Sequence, residues 1–163
     1  MSPIDPSLPR AARRVAAALE ARGHAGAIRL LDDSARSAAE AAAALGVAQE
    51  QIVKSLVFRG GRSGRAILAL VGGLSRVAEE RLAEHVGEPV ERASADWVRE
   101  QTGFSIGGVP PVGHAAELRT VADHSLVSYS LLWAAAGTPH AVFPLSGSEL
   151  VALTGAELGE IRE

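Results

Sequence analysis

Lys54 is the only lysine of the 163-residue chain. It stands inside the run Gln51-Ile52-Val53-Lys54-Ser55-Leu56-Val57-Phe58, which reads as a strand. Side chains alternate faces along extended backbone, so Lys54 shares a face with Ile52, Leu56 and Phe58, while Val53, Ser55 and Val57 take the other. A cation among apolar neighbours either reaches a rim or meets an anion or carbonyl oxygen in a pocket. The competing reading is a strand near a sheet edge, where lysine blunts self-association. Lys is also a compact point charge where Arg is a planar fork, so the exception stands out against a preference for arginine that genome composition alone could produce.

A second candidate is Phe104-Ser105-Ile106-Gly107-Gly108-Val109-Pro110-Pro111-Val112-Gly113-His114. Its three glycines and two prolines exclude a regular element. It is neither a Walker loop nor Gly-x-Gly-x-x-Gly, yet Gly107 and Gly108 permit close approach of a ligand to main-chain N–H groups while Pro110 and Pro111 stiffen the loop. Rigid glycine N–H groups can form an oxyanion site; the alternative is a tight crossover between elements. His140, after Gly137-Thr138-Pro139, stands at a strand mouth where an imidazole can bind substrate or move a proton, or simply face solvent. Ser55 has no evident Ser-His-Asp grouping. Asp123, His124 and Ser125 form either a cap or a site. There is no cysteine, and the five histidines are scattered, so neither a thiolate nucleophile nor a metal site is expected.

Several elements must hold these residues. Leu8 to Arg22 has helical apolar spacing with arginines between, stopping at Gly23. Ala27 to Leu31 reads as a strand, and Ser37-x-x-Glu40 opens a helix ending near Gly46. The strands 52–58 and 65–71 flank a glycine-rich turn and form a hairpin. Helices follow from Ser75 to about His85 and from Ser94 to Gln101. Strands are expected at 118–122, 131–135 and 141–145, the last with a proline that marks an end or an edge. Ser146-x-x-Glu149 opens a final helix. The fold class is therefore α/β in the α+β sense: a mixed, largely antiparallel sheet flanked by helices, with residues 1–163 as one domain.

A formal net charge of −3, with arginines spread along the chain, argues against a DNA-binding protein. No apolar run is long enough to span a bilayer, and the proline-rich start lacks a signal-peptide core, so a cytoplasmic protein is expected.

Three segments together, Gln51 to Phe58, Gly107 to His114 and Gly137 to Phe143, resemble the YbaK/ProX family of free-standing aminoacyl-tRNA deacylases and editing domains of bacterial prolyl-tRNA synthetases. The resemblance runs from about residue 25 to 160. It implies trans-editing: hydrolysis of the ester between a small aliphatic amino acid and the 3′ end of a mischarged tRNA, with tRNA-Pro the first candidate and prolyl-tRNA synthetase the candidate protein partner. It also implies that Lys54, Gly107 and Gly108 serve catalysis and that Ser55, Val109, Pro110, Pro111 and His140 contact substrate. No cofactor is implied. Cysteine-specific members are similar in carrying an acid where an ungapped alignment puts Val142, and the alanine-specific branch has Asn where this chain has Ser55. The alternative reading is a non-catalytic module that binds aminoacyl-adenosine or a nucleotide.

Overall fold

The computed structural model describes residues 4–25, 27–33, 35 and 37–163. Met1 to Pro3 of the proline-rich start lie outside these residues. Helices are α1 (Arg10–Ala21), α2 (Ala38–Leu45), α3 (Glu79–Val86), α4 (Ala95–Thr102) and α5 (Gly147–Thr154). Strands are β1 (Arg29–Leu30), β2 (Ile52–Gly60), β3 (Ala66–Gly72), β4 (Val90–Arg92), β5 (Arg119–Asp123), β6 (Leu132–Ala135), β7 (Ala141–Leu145) and β8 (Glu157–Gly159). Among these, no helix is long and apolar enough to cross a membrane.

All strands join one mixed sheet in the order β1-β7-β6-β2-β3-β5-β8, with β4 also paired to β2. The β2–β3 hairpin is antiparallel, as the glycine-rich turn predicts, with Lys54 opposite Val71 and Ser55 opposite Leu70. β3 is buried along its whole length, because both faces of the sheet are covered. On one face Val53, Leu68, Leu70 and Phe143 pack with Ala12, Val15 and Leu19 of α1 and Leu150 of α5. On the other, Phe58, Ile67, Ala69 and Val71 pack with Leu82 of α3. Burying Val15 and Leu19, and Leu8 just before the helix, contributes about 1.5–3 kcal/mol each, so α1 is a docked part of the main core.

Both Ser-x-x-Glu signals act as helix starts. The Ser37 hydroxyl accepts from the Glu40 N–H at 3.1 Å, and at α5 the Ser146 hydroxyl accepts from Glu149 N–H while the Glu149 carboxylate accepts from Ser146 N–H, at 3.0 and 2.8 Å. The helix expected from Ser75 begins instead at Glu79. Residues 76–78 are drawn to the C-terminal segment: Ala78 N–H donates to the Ile161 carbonyl and Glu163 N–H to that of Arg76, at 2.6 and 2.9 Å, and Val77 bridges Arg162. Pro144 lies in β7 beyond the part paired with the two-residue β1, which reaches only Val142, so its missing N–H is not needed on that side.

Candidate functional site

β2 changes neighbours halfway along. On the flank opposite β3 it pairs in parallel with β6 at Ile52 and Val53, then antiparallel with β4 from Phe58 to Gly60. Between these pairings, residues 54–57 have no strand partner on that flank. A cleft of about 760 Å³ opens there, lined by every residue from Ile52 to Phe58, so both faces of the strand contribute. One side is aliphatic, with Val53, Val57, Val98, Val109 and Ala134; the other carries Lys54, Arg76, Glu79, Arg92 and Glu163.

Lys54 is half-buried, and no carboxylate among the described residues lies within ion-pair distance of it. Burial pushes its ammonium below the ordinary lysine range, and the nearby Arg76 charge pushes in the same direction. An unpaired cation beside a second one is poised for an anionic or strongly polar ligand. Ser55 faces the main core side, and its hydroxyl has no hydrogen-bond partner; the same holds for the indole N–H of Trp133. Both residues line the cleft. Buried polar groups normally find partners, so two unmet ones on residues lining one cleft set this region apart from the rest of the core.

The glycine–proline loop forms another wall, held at both ends by buried Thr102. Its hydroxyl donates to the Val98 carbonyl at 2.8 Å and accepts from Phe104 N–H at 3.0 Å, and its own carbonyl accepts from Ala115 N–H at 2.9 Å. His114 Nε2 donates to the Pro110 carbonyl at 2.7 Å. Burial lowers the His114 pKa despite that hydrogen bond, so the ring stays neutral and serves as a brace. Gly107 adopts φ +93°, and a Cβ on Gly108 would lie 2.7 Å from the Gly137 carbonyl oxygen. Glycine therefore lets this loop close onto 137–139.

The structure brings Lys54, Ser55, Gly107 and Val109 to one cleft. Gly108, Pro110 and Pro111 are buried behind it, and the Gly108 N–H already donates to Ser105 at 3.0 Å. Of the two glycine N–H groups expected to form an oxyanion site, only that of Gly107 lacks a partner among the described residues. His140 also departs from expectation: its side chain is exposed and the cleft lining of that segment is Thr138 and Pro139. The backbone explains this, since the His140 carbonyl accepts from Leu31 N–H at 2.6 Å and its N–H donates to Thr138 Oγ1 at 3.2 Å. Asp123 and Ser125 are a cap: Asp123 accepts from Ser125 N–H and from Ile161 and Arg162 N–H at 3.1, 3.0 and 3.3 Å. Arg76 and Trp133 were not singled out from sequence. Arg76 comes near Lys54 only through the fold, and the one sequence signal for Trp133 was its being one of two tryptophans.

A family model described as the aminoacyl-tRNA editing domain matches residues 32–153. Uncharacterized protein YwhH of Bacillus subtilis (strain 168) is 31% identical over 119 residues, which are 73% of this chain and 75% of that protein. The proline–tRNA ligase of Geobacter sp. (strain M21) is 39% identical over 92 residues, 56% of this chain but only 16% of the ligase. A crystal structure of a proposed trans-editing enzyme for prolyl tRNA synthetase superposes with a TM-score of 0.91 at 47% identity, covering 96% of this chain and 99% of that one.

Proposed function

The chain belongs to the aminoacyl-tRNA editing domain family, and on that premise we propose that it hydrolyses the ester linking a small aliphatic amino acid to the 3′-terminal ribose of a mischarged tRNA, with tRNA-Pro as the first candidate. It acts as an editing domain in the cytoplasm, alongside prolyl-tRNA synthetase. The observation that carries the reading is a cleft lined both by Lys54, whose ammonium has no carboxylate partner among the described residues, and by Gly107, whose N–H has no partner there either.

The chemistry needs no side-chain nucleophile. Water adds to the ester carbonyl, positioned by the free hydroxyl of the terminal ribose. Lys54 and the Gly107 N–H stabilise the charge that gathers on the carbonyl oxygen, as preorganised donors do in a water-poor site. The tetrahedral intermediate then expels the ribose oxygen, which takes a proton, leaving a free amino acid and an intact tRNA. Ser55 and Trp133 line the same cleft, and unpaired bases are commonly read by an aromatic surface and hydrogen bonds. The aliphatic wall of Val53, Val57, Val98 and Val109 suits a small apolar side chain. Val142, at the position where cysteine-specific relatives carry an acid, also lines the cleft and argues for an apolar substrate.

The test is a panel of tRNA charged separately with alanine, 2-aminobutyrate, serine, cysteine and proline, incubated with the wild-type chain and Lys54→Ala. Loss of the alanyl or 2-aminobutyryl ester with the wild type, and its survival with a folded Lys54→Ala, is the expected result. Survival of every ester with enzyme in excess would reject hydrolysis and favour a module that only binds aminoacyl-adenosine.

A further inference from the structure

The first helix lies outside residues 32–153, the part matched by the family model, yet it abuts the site. Gly137, next to the cleft residues Thr138 and Pro139, packs so closely on Ala11 that a Cβ there would lie 2.8 Å from the Ala11 carbonyl. A Cβ on Gly113, at the end of the glycine–proline loop, would lie 3.2 Å from that of Ala18. Arg14 donates to the Gly103 carbonyl at 3.0 Å and lies 4.6 Å from the Phe104 ring centre. Thus α1 is the element reached immediately beyond one rim of the cleft.

Its charge is out of keeping with the rest of the chain. Arg10, Arg13 and Arg14 recur at i, i+3 and i+4, so they share a face, opposite the buried Ala12, Val15 and Leu19. With Arg22 at the C-cap and Glu20 the only acid, residues 10–22 carry +3, whereas the whole chain is −3 and the remainder therefore −6. All four arginines are exposed. Arg14 and Arg22 use main-chain carbonyls as partners, and no carboxylate among the described residues pairs with any of the four. A helix that needed only solubility would serve as well with mixed charges, since interspersed signs are the ordinary surface.

We propose that the arginine face of α1, Arg10, Arg13 and Arg14, together with Arg22 at its C-cap, binds the phosphate backbone of the RNA duplex whose 3′ end enters the cleft. This rests on the editing reading for which end of the RNA lies in the cleft. Guanidinium groups suit phosphate oxygens. The acidic remainder repels RNA from the other faces, so a weakly charged chain orients its substrate with one helix.

Binding of uncharged tRNA, followed by fluorescence anisotropy across a salt series, tests this without any ester being cleaved. The double variant Arg10→Glu/Arg13→Glu changes two residues whose side chains make no hydrogen bond or ion pair among the described residues, and Arg65→Glu in the β2–β3 turn, set beside Arg13→Glu alone so that the charge change is equal, is the control. The double variant should weaken binding about tenfold or more and flatten the salt dependence by about two phosphate contacts; the control should do neither. In the hydrolysis assay the loss should appear in KM rather than kcat. Equal loss in Arg13→Glu and Arg65→Glu, no loss in the double variant, or no wild-type binding at ~100 μM, the weak end of non-specific affinity, would overturn the proposal. Binding that depends on these arginines without cleavage of any ester would refute hydrolysis and leave the surface standing.

Discussion

Two regions of the same sheet treat their charged groups in opposite ways. At the β5–β8 end the principal charged groups have partners. Buried Asp123 accepts three main-chain N–H bonds and lies 3.6 Å from Arg162 Nε, and Glu157 holds Arg119 through two bonds at 2.8 and 2.9 Å and His85 at 3.2 Å. Beside β2, among the described residues, Lys54 has no anion within ion-pair distance, and the Ser55 hydroxyl and Trp133 indole N–H have no hydrogen-bond partner. Satisfied polar groups of the first kind fix a chain in place; unsatisfied groups of the second kind cost stability until something binds. The difference separates a structural cluster from a site without appeal to residue type.

The comparison can be broken most easily at Lys54. Lys54→Met should lower ester hydrolysis by on the order of 10² to 10³, the usual loss for a transition-state donor, without lowering the melting temperature. Because burial, then Arg76, depresses the lysine pKa below 10.5, the folded chain holds this proton less tightly than the unfolded one. The charge therefore opposes folding at neutral pH, and the opposition fades as pH rises toward the unfolded value. Melts at pH 7 and 9.5 should show the variant's advantage shrinking; a marked destabilisation at pH 7 would place Lys54 with the structural cluster.

Asp123→Ala should do the reverse, costing about 3 kcal/mol in urea denaturation by leaving buried N–H donors unpaired, with activity per folded molecule unchanged. Burial pushes the Asp123 carboxyl up, but its hydrogen bonds and Arg162 outweigh this and hold it below the ordinary value. Its contribution is thus present near neutrality and lost as acid protonates it.

The smallest effect belongs to Glu157, whose pKa is pulled from 4.5 to about 2, chiefly by the Arg119 hydrogen bonds. Stability from this depression is complete above 4.5 and disappears as pH falls toward 2. The cluster is exposed and solvent-screened, so Glu157→Gln should cost only about 0.5 kcal/mol. Acid-range melts of the two proteins should converge, and added salt should narrow the gap at pH 7.

What was legible in the chain was local. Ser37 and Ser146 mark helix starts because capping is settled within three residues, and the Lys54 strand and its hairpin follow from alternation and a glycine-rich turn. The three-residue β4 and β8 are too short to show a period, and the start of α3 was displaced by pairing with residues 161–163, far away in sequence. The cleft was hidden for the same reason. It exists because β2 exchanges one neighbour for another, a property of strand order that neither Trp133 nor Arg76 advertises. His140 shows the converse: the right residue type beside the right strand, with its main chain committed and its ring turned outward.

That exchange of neighbours has a bearing on solubility. A main-chain edge able to recognise a ligand is also one that another molecule's strand can extend, which is how exposed edges seed aggregation. Here the open stretch is interrupted after residues 54–57 and closed off at both ends by β6 and β4. A foreign strand of ordinary length, about five or six residues, has no room to lie down in it, whereas a single aminoacyl group does.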